Sequence, residues 1–451
     1  MREILIKGGT ILSMDDKIGD LHRGDILITG EKISRVAKTI RAPNAKLIDA
    51  RNKIVLPGLI NAHIHTWQTN IRGIAGNWSI PEYLHNMHAE IAPNYSANDT
   101  YLGNLVGALN QIDCGTTTIF DWCHINATPA HTDAAIAGLQ EAGIRALFGH
   151  GSPKPDPKDN ELPYTHIPHP RSEIERLTKD VLPSKDGLIT LAMAVLGPDF
   201  STWEVTQQDF QLAKEFDLLV SAHVWAAPNR LNKNGYYKLA KMKLLDDRHN
   251  LVHGVYLSDK ELECIVNCGA SITVTPEVEL QMGHGTPLTG RLRKLGIQPS
   301  IGVDVESNIS GDMFTVMRMT LQNQRNVDNR EVAKKTGAPA NSISISPREA
   351  LRWATMDNAR ALKLEKKIGS IKPGKQADII TINTQDLNLF PVHNPVETVV
   401  FQANSSNVDT VIISGRIKKF GGKLRYKDME NKKTLLLRSG RRILRGMNII
   451  Y

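Results

Sequence analysis

The chain has 451 residues, of which 41% are hydrophobic and 23% charged, and its formal charge is +8. This composition excludes a disordered or low-complexity chain and fits a globular protein with a sizeable core. The length allows two or three domains, or one large barrel with a smaller companion.

The opening MREILIKGG reads as a strand rather than a signal peptide. No run of about 18 apolar residues marks a membrane span. Four cysteines, Cys114, Cys123, Cys264 and Cys268, are too few for a disulfide scaffold. Cys264 and Cys268 read as packing groups on one helix face. A reducing, cytoplasmic compartment is expected.

The first stretch reads as short strands: ILIKGGTILSM, then DILITGEKISRVA with Gly30 at its turn, then AKLIDA and KIVLP. From residue 59 the rhythm changes, and short apolar runs alternate with amphipathic helical segments. The strand candidates are GLINAHIH, GTTTIFDW, IRALFGH, ITLAMAVLG, LLVSAHVW, NLVHGVYL, ASITVTP and PSIGVDV, eight in all. Eight βα units in succession favour a closed barrel over an open sheet. Ser258 with Glu261 forms a capping-box pattern, and Pro347 opens the helix in SPREALRWATMDNARAL. After about residue 366 the β rhythm returns in IGSIKPGKQADIITINT, VETVVFQA and VDTVIISGRIKKFG, with Gly374 and Gly415 at turns. Each terminal β segment is too short to hold a core alone. The expected fold is therefore α/β: a (β/α)₈ TIM-like barrel, residues 59–365, inserted between the two halves of a small β-sandwich, residues 1–58 and 366–451.

His63 and His65 stand two apart near the end of a buried strand, so both imidazoles face one side. His223 in LLVSAHVW, His253 in NLVHGVYL and Asp304 in SIGVDV also end strands. In a barrel such ends gather at the C-terminal mouth, where active sites lie. Neutral imidazoles with a carboxylate suit one divalent ion, Zn²⁺ first, with Fe²⁺ or Mn²⁺ as alternatives. The chemistry expected is activation of water, with Asp304 taking its proton and His253 donating to the oxygen that becomes negative. The strand ITLAMAVLG offers no Lys, Cys or Glu to bridge a second ion.

These residues resemble the amidohydrolase superfamily, in the branch with triazine hydrolases, methylthioadenosine/adenosylhomocysteine deaminases and guanine deaminases. LPGLINAHIHTWQT at 56–69, VHGVYL at 252–257, the strand holding Asp304 and LRWATMDNARALKLEKKIGSIKPGKQADIITI at 351–382 carry the resemblance, which spans nearly the whole chain. It implies that His63, His65, His223 and Asp304 hold a mononuclear metal and that His253 touches the catalytic water and the substrate.

Two departures narrow what it implies. Deaminases of this branch read His-x-x-Glu at the fifth strand, and this chain reads His223-Val-Trp-Ala226. After the sixth strand, where the branch often has His-Cys-Pro-x-Ser-Asn, this chain has Val274-Thr-Pro-Glu-Val-Glu279. Glu279, Glu277 and Glu306 are the candidates for a displaced proton shuttle, with surface or ion-pair roles as the alternative. Beyond the first strand, HTWQTNIRGIAGNW places Trp67, Gln68, Arg72 and Trp78 in a loop over the mouth. There Arg72 would pair with a substrate carboxylate or carbonyl and Trp67 would stack on a planar ring, packing being the alternative for the tryptophans. His284, in a Gly-His-Gly turn, would lie over the pocket or on the surface. Trp225 is expected to point outward into the core.

The function expected is hydrolysis of a non-peptide C–N bond in a small planar, nitrogen-heterocyclic substrate. Deamination of a purine, pyrimidine or triazine-like ring is the alternative, and a catalytically retired metal-binding protein the minor one. The basic run from Lys427 to Gly446 carries Lys432, Lys433, Arg438, Arg441, Arg442 and Arg445, interleaved with Leu435, Leu436, Ile443 and Leu444. It reads as an amphipathic tail docking on a neighbouring subunit, hence a homodimer or larger oligomer. Neither a nucleic-acid nor a membrane partner is expected.

Overall fold

The structure, a computed structural model, describes residues 2–445 and 447; Gly446 and residues 448–451 of the expected tail lie outside the described residues. Five strands open the chain: β1 (Glu3–Leu12), β2 (Asp20–Thr29), β3 (Lys32–Ala37), β4 (Lys46–Asp49) and β5 (Lys53–Pro57). The barrel strands follow: β6 (Leu59–Ile64), β7 (Thr116–Cys123), β8 (Arg145–Gly151), β9 (Ile189–Val195), β10 (Val220–Val224), β11 (His249–His253), β12 (Ser271–Val274) and β13 (Ser300–Ile301). The chain then returns to β14 (Ile379–Asn383), β15 (Val408–Ile413), β16 (Arg416–Phe420) and β17 (Lys423–Leu424).

The terminal strands join one nine-stranded mixed sheet, in the order β17-β16-β15-β14-β5-β1-β2-β3, with β4 on β1. The junction between the two halves is the antiparallel pair β14–β5, from Ile379 opposite Pro57 to Asn383 opposite Lys53. Apolar side chains from both halves, among them Ile4, Ile26, Val55, Ile379 and Ile412, fill a common core. The two halves, far apart in the sequence, thus complete one core between them.

The barrel strands pair in sequence order from β6 to β13. β6, β7 and β8 are buried along their whole length. Unbroken burial of this kind belongs to parallel strands covered on both faces. The helix between β11 and β12, Asp259–Asn267, starts at the expected capping box of Ser258 and Glu261. Pro347 follows a second capping box, Ser346 with Glu349.

Closure depends on a narrow seam. β13 pairs with β12 on one side. On the other, Asp304 bridges Ile64. The Asp304 N–H donates to the His63 carbonyl at 2.9 Å, and the His65 N–H donates to the Asp304 carbonyl at 2.8 Å. Gly302 makes this approach possible, because a Cβ there would lie 2.8 Å from the His63 oxygen.

By internal contacts the chain divides into two compact units, residues 1–61, 110–118 and 312–427 in one, and 62–109, 119–311 and the stretch from 428 onward in the other. All the site residues below belong to the second. The tail forms a helix, Met429–Ile443, that folds back on its own chain. Ser439 Oγ donates to Asp99 Oδ1 at 2.6 Å, Arg442 pairs with Asp99, and Ile443 is buried. The helix is amphipathic, and most of its apolar face is covered within the chain. No described helix is long and apolar enough to cross a membrane.

Candidate metal centre and cavity

His63 and His65 leave the end of β6, His223 leaves β10, and Asp304 follows β13. One donor atom from each converges, all within 4.8 Å of one another. His63 Nε2 lies 3.1 Å from Asp304 Oδ1 and 3.2 Å from His223 Nε2, and His65 Nε2 lies 3.3 Å from Asp304 Oδ1. His65 Nδ1 is 2.6 Å from the Trp122 carbonyl, which can only accept. The proton is therefore on Nδ1, and the Nε2 lone pair faces the cluster. Burial lowers His63 to about 4 and His223 well below the ordinary histidine range, so both imidazoles are neutral. Burial resists the charge on Asp304, but the close imidazoles of His63 and His65, with the field of His253, hold its carboxyl well below the usual range. Three neutral nitrogens and one carboxylate, crowded and buried, fit a divalent cation.

His253, at the end of β11, stands beside this set with Nε2 3.7 Å from Asp304 Oδ2. Its backbone and that of Asp304 are both left-handed, with φ of 69° and 76°. Such conformations are held only where the surroundings over-determine them, and they cluster at functional sites. Glu279 Oε1 accepts from His253 Nδ1 at 3.2 Å, and Thr275 Oγ1 lies 3.0 Å from the same nitrogen. Burial works against a charged His253, yet the Glu279 hydrogen bond and the fields of Asp304 and Glu279 keep it above the ordinary value.

Above the cluster lies a cavity of about 550 Å³ that opens to solvent. His284 lines it, its ring centroid 4.9 Å from that of His253, and burial lowers it to about 3. Ala226 lines it too, with no acid–base group to offer. Several expected contacts are placed elsewhere. Glu279 is fully buried behind His253 and orients it from the rear. Glu306 is buried and taken by Arg72, at 2.6 Å, and by Thr69 Oγ1, at 3.1 Å. The Arg72 guanidinium is therefore committed to the chain's own carboxylate. Glu277 binds Ser310 through its amide and hydroxyl. Trp67 is fully buried behind His88, Tyr95 and His124, and Trp78 is half-buried outside the cavity lining. Gln68 acts through another residue: its Nε2 donates to the Tyr83 hydroxyl at 2.6 Å, and Tyr83 lines the cavity.

Trp225 corrects the outward placement expected of it. β10 stops at Val224, so alternation ends one residue early; Trp225 lines the cavity edge-on to Phe200, 5.3 Å between centroids. Sequence reasoning missed His88, His124 and Lys154, which also line the cavity. For His124 a signal existed, since it directly follows β7. Lys154 lies in the proline-rich GSPKPDPKD, which reads as solvated loop.

Residues 54–418 match the amidohydrolase family. The 5-methylthioadenosine/S-adenosylhomocysteine deaminase of Pyrococcus horikoshii is 28% identical over 436 residues, 95% of this chain and 97% of that protein. The 5'-deoxyadenosine deaminase of Methanosphaera stadtmanae is 29% identical over 92% of both chains. Among solved structures, atrazine chlorohydrolase from Arthrobacter aurescens TC1, complexed with zinc, superimposes with a TM-score of 0.85 at 22% identity, covering 97% of this chain and 100% of that one. An adenosine deaminase from Xanthomonas campestris with bound zinc gives 0.82 at 22% identity, covering 98% of each. The chain belongs to the amidohydrolase family and is a hydrolase of carbon–nitrogen bonds other than peptide bonds.

Proposed function

We propose that this protein hydrolyses a C–N bond of a small planar nitrogen heterocycle with one divalent ion, Zn²⁺, held by His63, His65, His223 and Asp304. The observation that carries the reading is the convergence of these four donors beside His253, beneath an aromatic-walled cavity. When bound, the ion supplies the acidity that makes water a nucleophile near neutral pH. Asp304 Oδ2, facing His253 Nε2, accepts the proton that water gives up. Glu279 keeps a proton on His253 Nδ1, and His253 Nε2–H donates to the substrate atom on which negative charge develops. Tyr83 and Trp225 flank the ring and exclude water.

The named relatives favour a second reading, release of ammonia from an adenosine-like ring. Ala226 favours opening of a cyclic amide, because it supplies no acid to protonate a ring nitrogen, whereas an amide carbonyl oxygen is met by His253 and its leaving nitrogen can take the proton accepted by Asp304. Ammonia release and ring opening, assayed on adenosine, 5'-deoxyadenosine, methylthioadenosine and a panel of cyclic amides, separate the two. Metal removal by a chelator should abolish either activity and Zn²⁺ restore it; unchanged turnover in a protein shown to hold no metal would falsify the proposal. The inserted catalytic barrel, residues 59–365 between 1–58 and 366–451, is the proposed domain boundary. Four cysteines, none of them in a disulfide among the described residues, suit a cytoplasmic setting. A homodimer or larger assembly now rests on the exposed Leu437 of the tail helix, and light scattering measures it.

A further inference from the structure

Lys154 is 7% exposed and lies in the same cavity wall as His223 and Asp304. Its Nζ is 5.0 Å from the Phe200 ring centroid and 5.6 Å from that of Trp122. Among the described residues, no carboxylate oxygen lies within ion-pair distance of it. The acidic groups around the cavity are engaged: Glu306 with Arg72, Glu279 with His253, Asp199 with the Trp225 N–H and Arg230, and Asp121 with Thr66 and Asn104. Asp304 acts on Lys154 only at longer range, and its carboxylate belongs to the donor set.

A buried ammonium without a counter-ion is expensive. Two aromatic faces return less than the cost of desolvating the charge. Burial lowers Lys154 to about 8, which leaves most of it protonated at neutral pH. If this position only filled space, an apolar side chain would fill it better. The side chain opens onto the cavity, so the missing anion can arrive with a ligand.

We propose that Lys154 is a specificity residue that binds an anionic oxygen carried by a planar substrate ring, held beside Trp122 and Phe200 and facing the four-donor cluster. This deepens the proposed function and rests on the cavity being its substrate site. It assigns to Lys154 the anion-binding role that the sequence suggested for Arg72.

Calorimetric titration of the zinc-loaded protein tests it with three small rings: nicotinate, whose charge is a carboxylate; barbiturate, whose charge is shared by exocyclic oxygens; and neutral nicotinamide. The wild type should prefer one or both anions. Lys154→Met should weaken binding of a preferred anion about tenfold or more while changing nicotinamide less than about twofold. Lys154→Arg should keep the preference, and it carries the test if Lys154→Met does not fold. Nicotinate alone would identify a carboxylate subsite, barbiturate alone an oxyanion subsite. No preference in the wild type, anion affinity unchanged in Lys154→Met, equal loss for all three rings, or loss of the preference in a folded Lys154→Arg would overturn the proposal. Binding is measured without turnover, so the two readings fail separately. Lysine-dependent anion binding in a protein that cleaves no C–N bond sinks only the proposed function; cleavage of heterocycles without such binding sinks only the role of Lys154.

Discussion

His63, His65, His223 and Asp304 meet in the donor cluster from strand ends whose main chains are tied into the barrel, whereas Tyr83, Lys154, Trp225 and His284 reach the cavity from loops and short helices. On the floor, even the backbone is over-determined: Asp304 is left-handed and hydrogen-bonded through both N–H and carbonyl to the chain around His63. On the walls, a ring or an ammonium is held by one or two side-chain neighbours, as Trp225 is by Phe200. The difference separates two tasks. The ladder fixes the chemistry to fractions of an ångström, while loops can exchange one substrate for another without disturbing it.

Substitutions at graded distances from the floor can break this division. Asp304→Asn should have the largest effect, lowering kcat/KM by about 10³-fold or more and reducing bound metal, read by elemental analysis. Full turnover and metal content in that variant would remove the floor from the chemistry. Glu279→Gln should lower kcat by about 10- to 100-fold with the metal retained. It also carries a pH signature. The donor is protonated His253, so activity falls as pH rises through its pKa; Glu279 holds that value up, and its loss should move the alkaline limb to lower pH. A limb that stays in place means Glu279 does not tune His253. Arg72→Ala, which takes the cation from buried Glu306, should lower stability by about 1–3 kcal/mol, seen as a shift in the urea midpoint, with a smaller effect on kcat than Glu279→Gln. Lys433→Ala breaks only an exposed pair with Glu430 on the tail helix and should change stability by less than about 0.5 kcal/mol.

The same division explains what could be read from the sequence. Strand-end histidines were legible because a two-residue period within a βα rhythm determines both the face and the end of the barrel. The roles of Arg72 and Trp67 were not, since residue order places a loop over the mouth without saying which side chains turn inward. Glu279 lies against His253, but the short helix Pro276–Gln281 carries it behind that ring instead of into the cavity, which residue order alone does not specify. Trp225 was misplaced by a single residue of strand length. Lys154 was invisible: a lysine among prolines looks solvated, and only the fold reveals Trp122 and Phe200 around it.

Asp304 also gives the barrel an unusual dependence. Its main chain closes the seam to β6 while its carboxylate completes the donor set. A ligand that binds the native donor set and not the unfolded chain adds its binding free energy to the folded state. Here that gain is delivered at the joint where a two-residue strand meets the first. Amide exchange at His65 and Asp304 should thus report cation loading directly, with protection rising at the seam before it rises in the rest of the barrel.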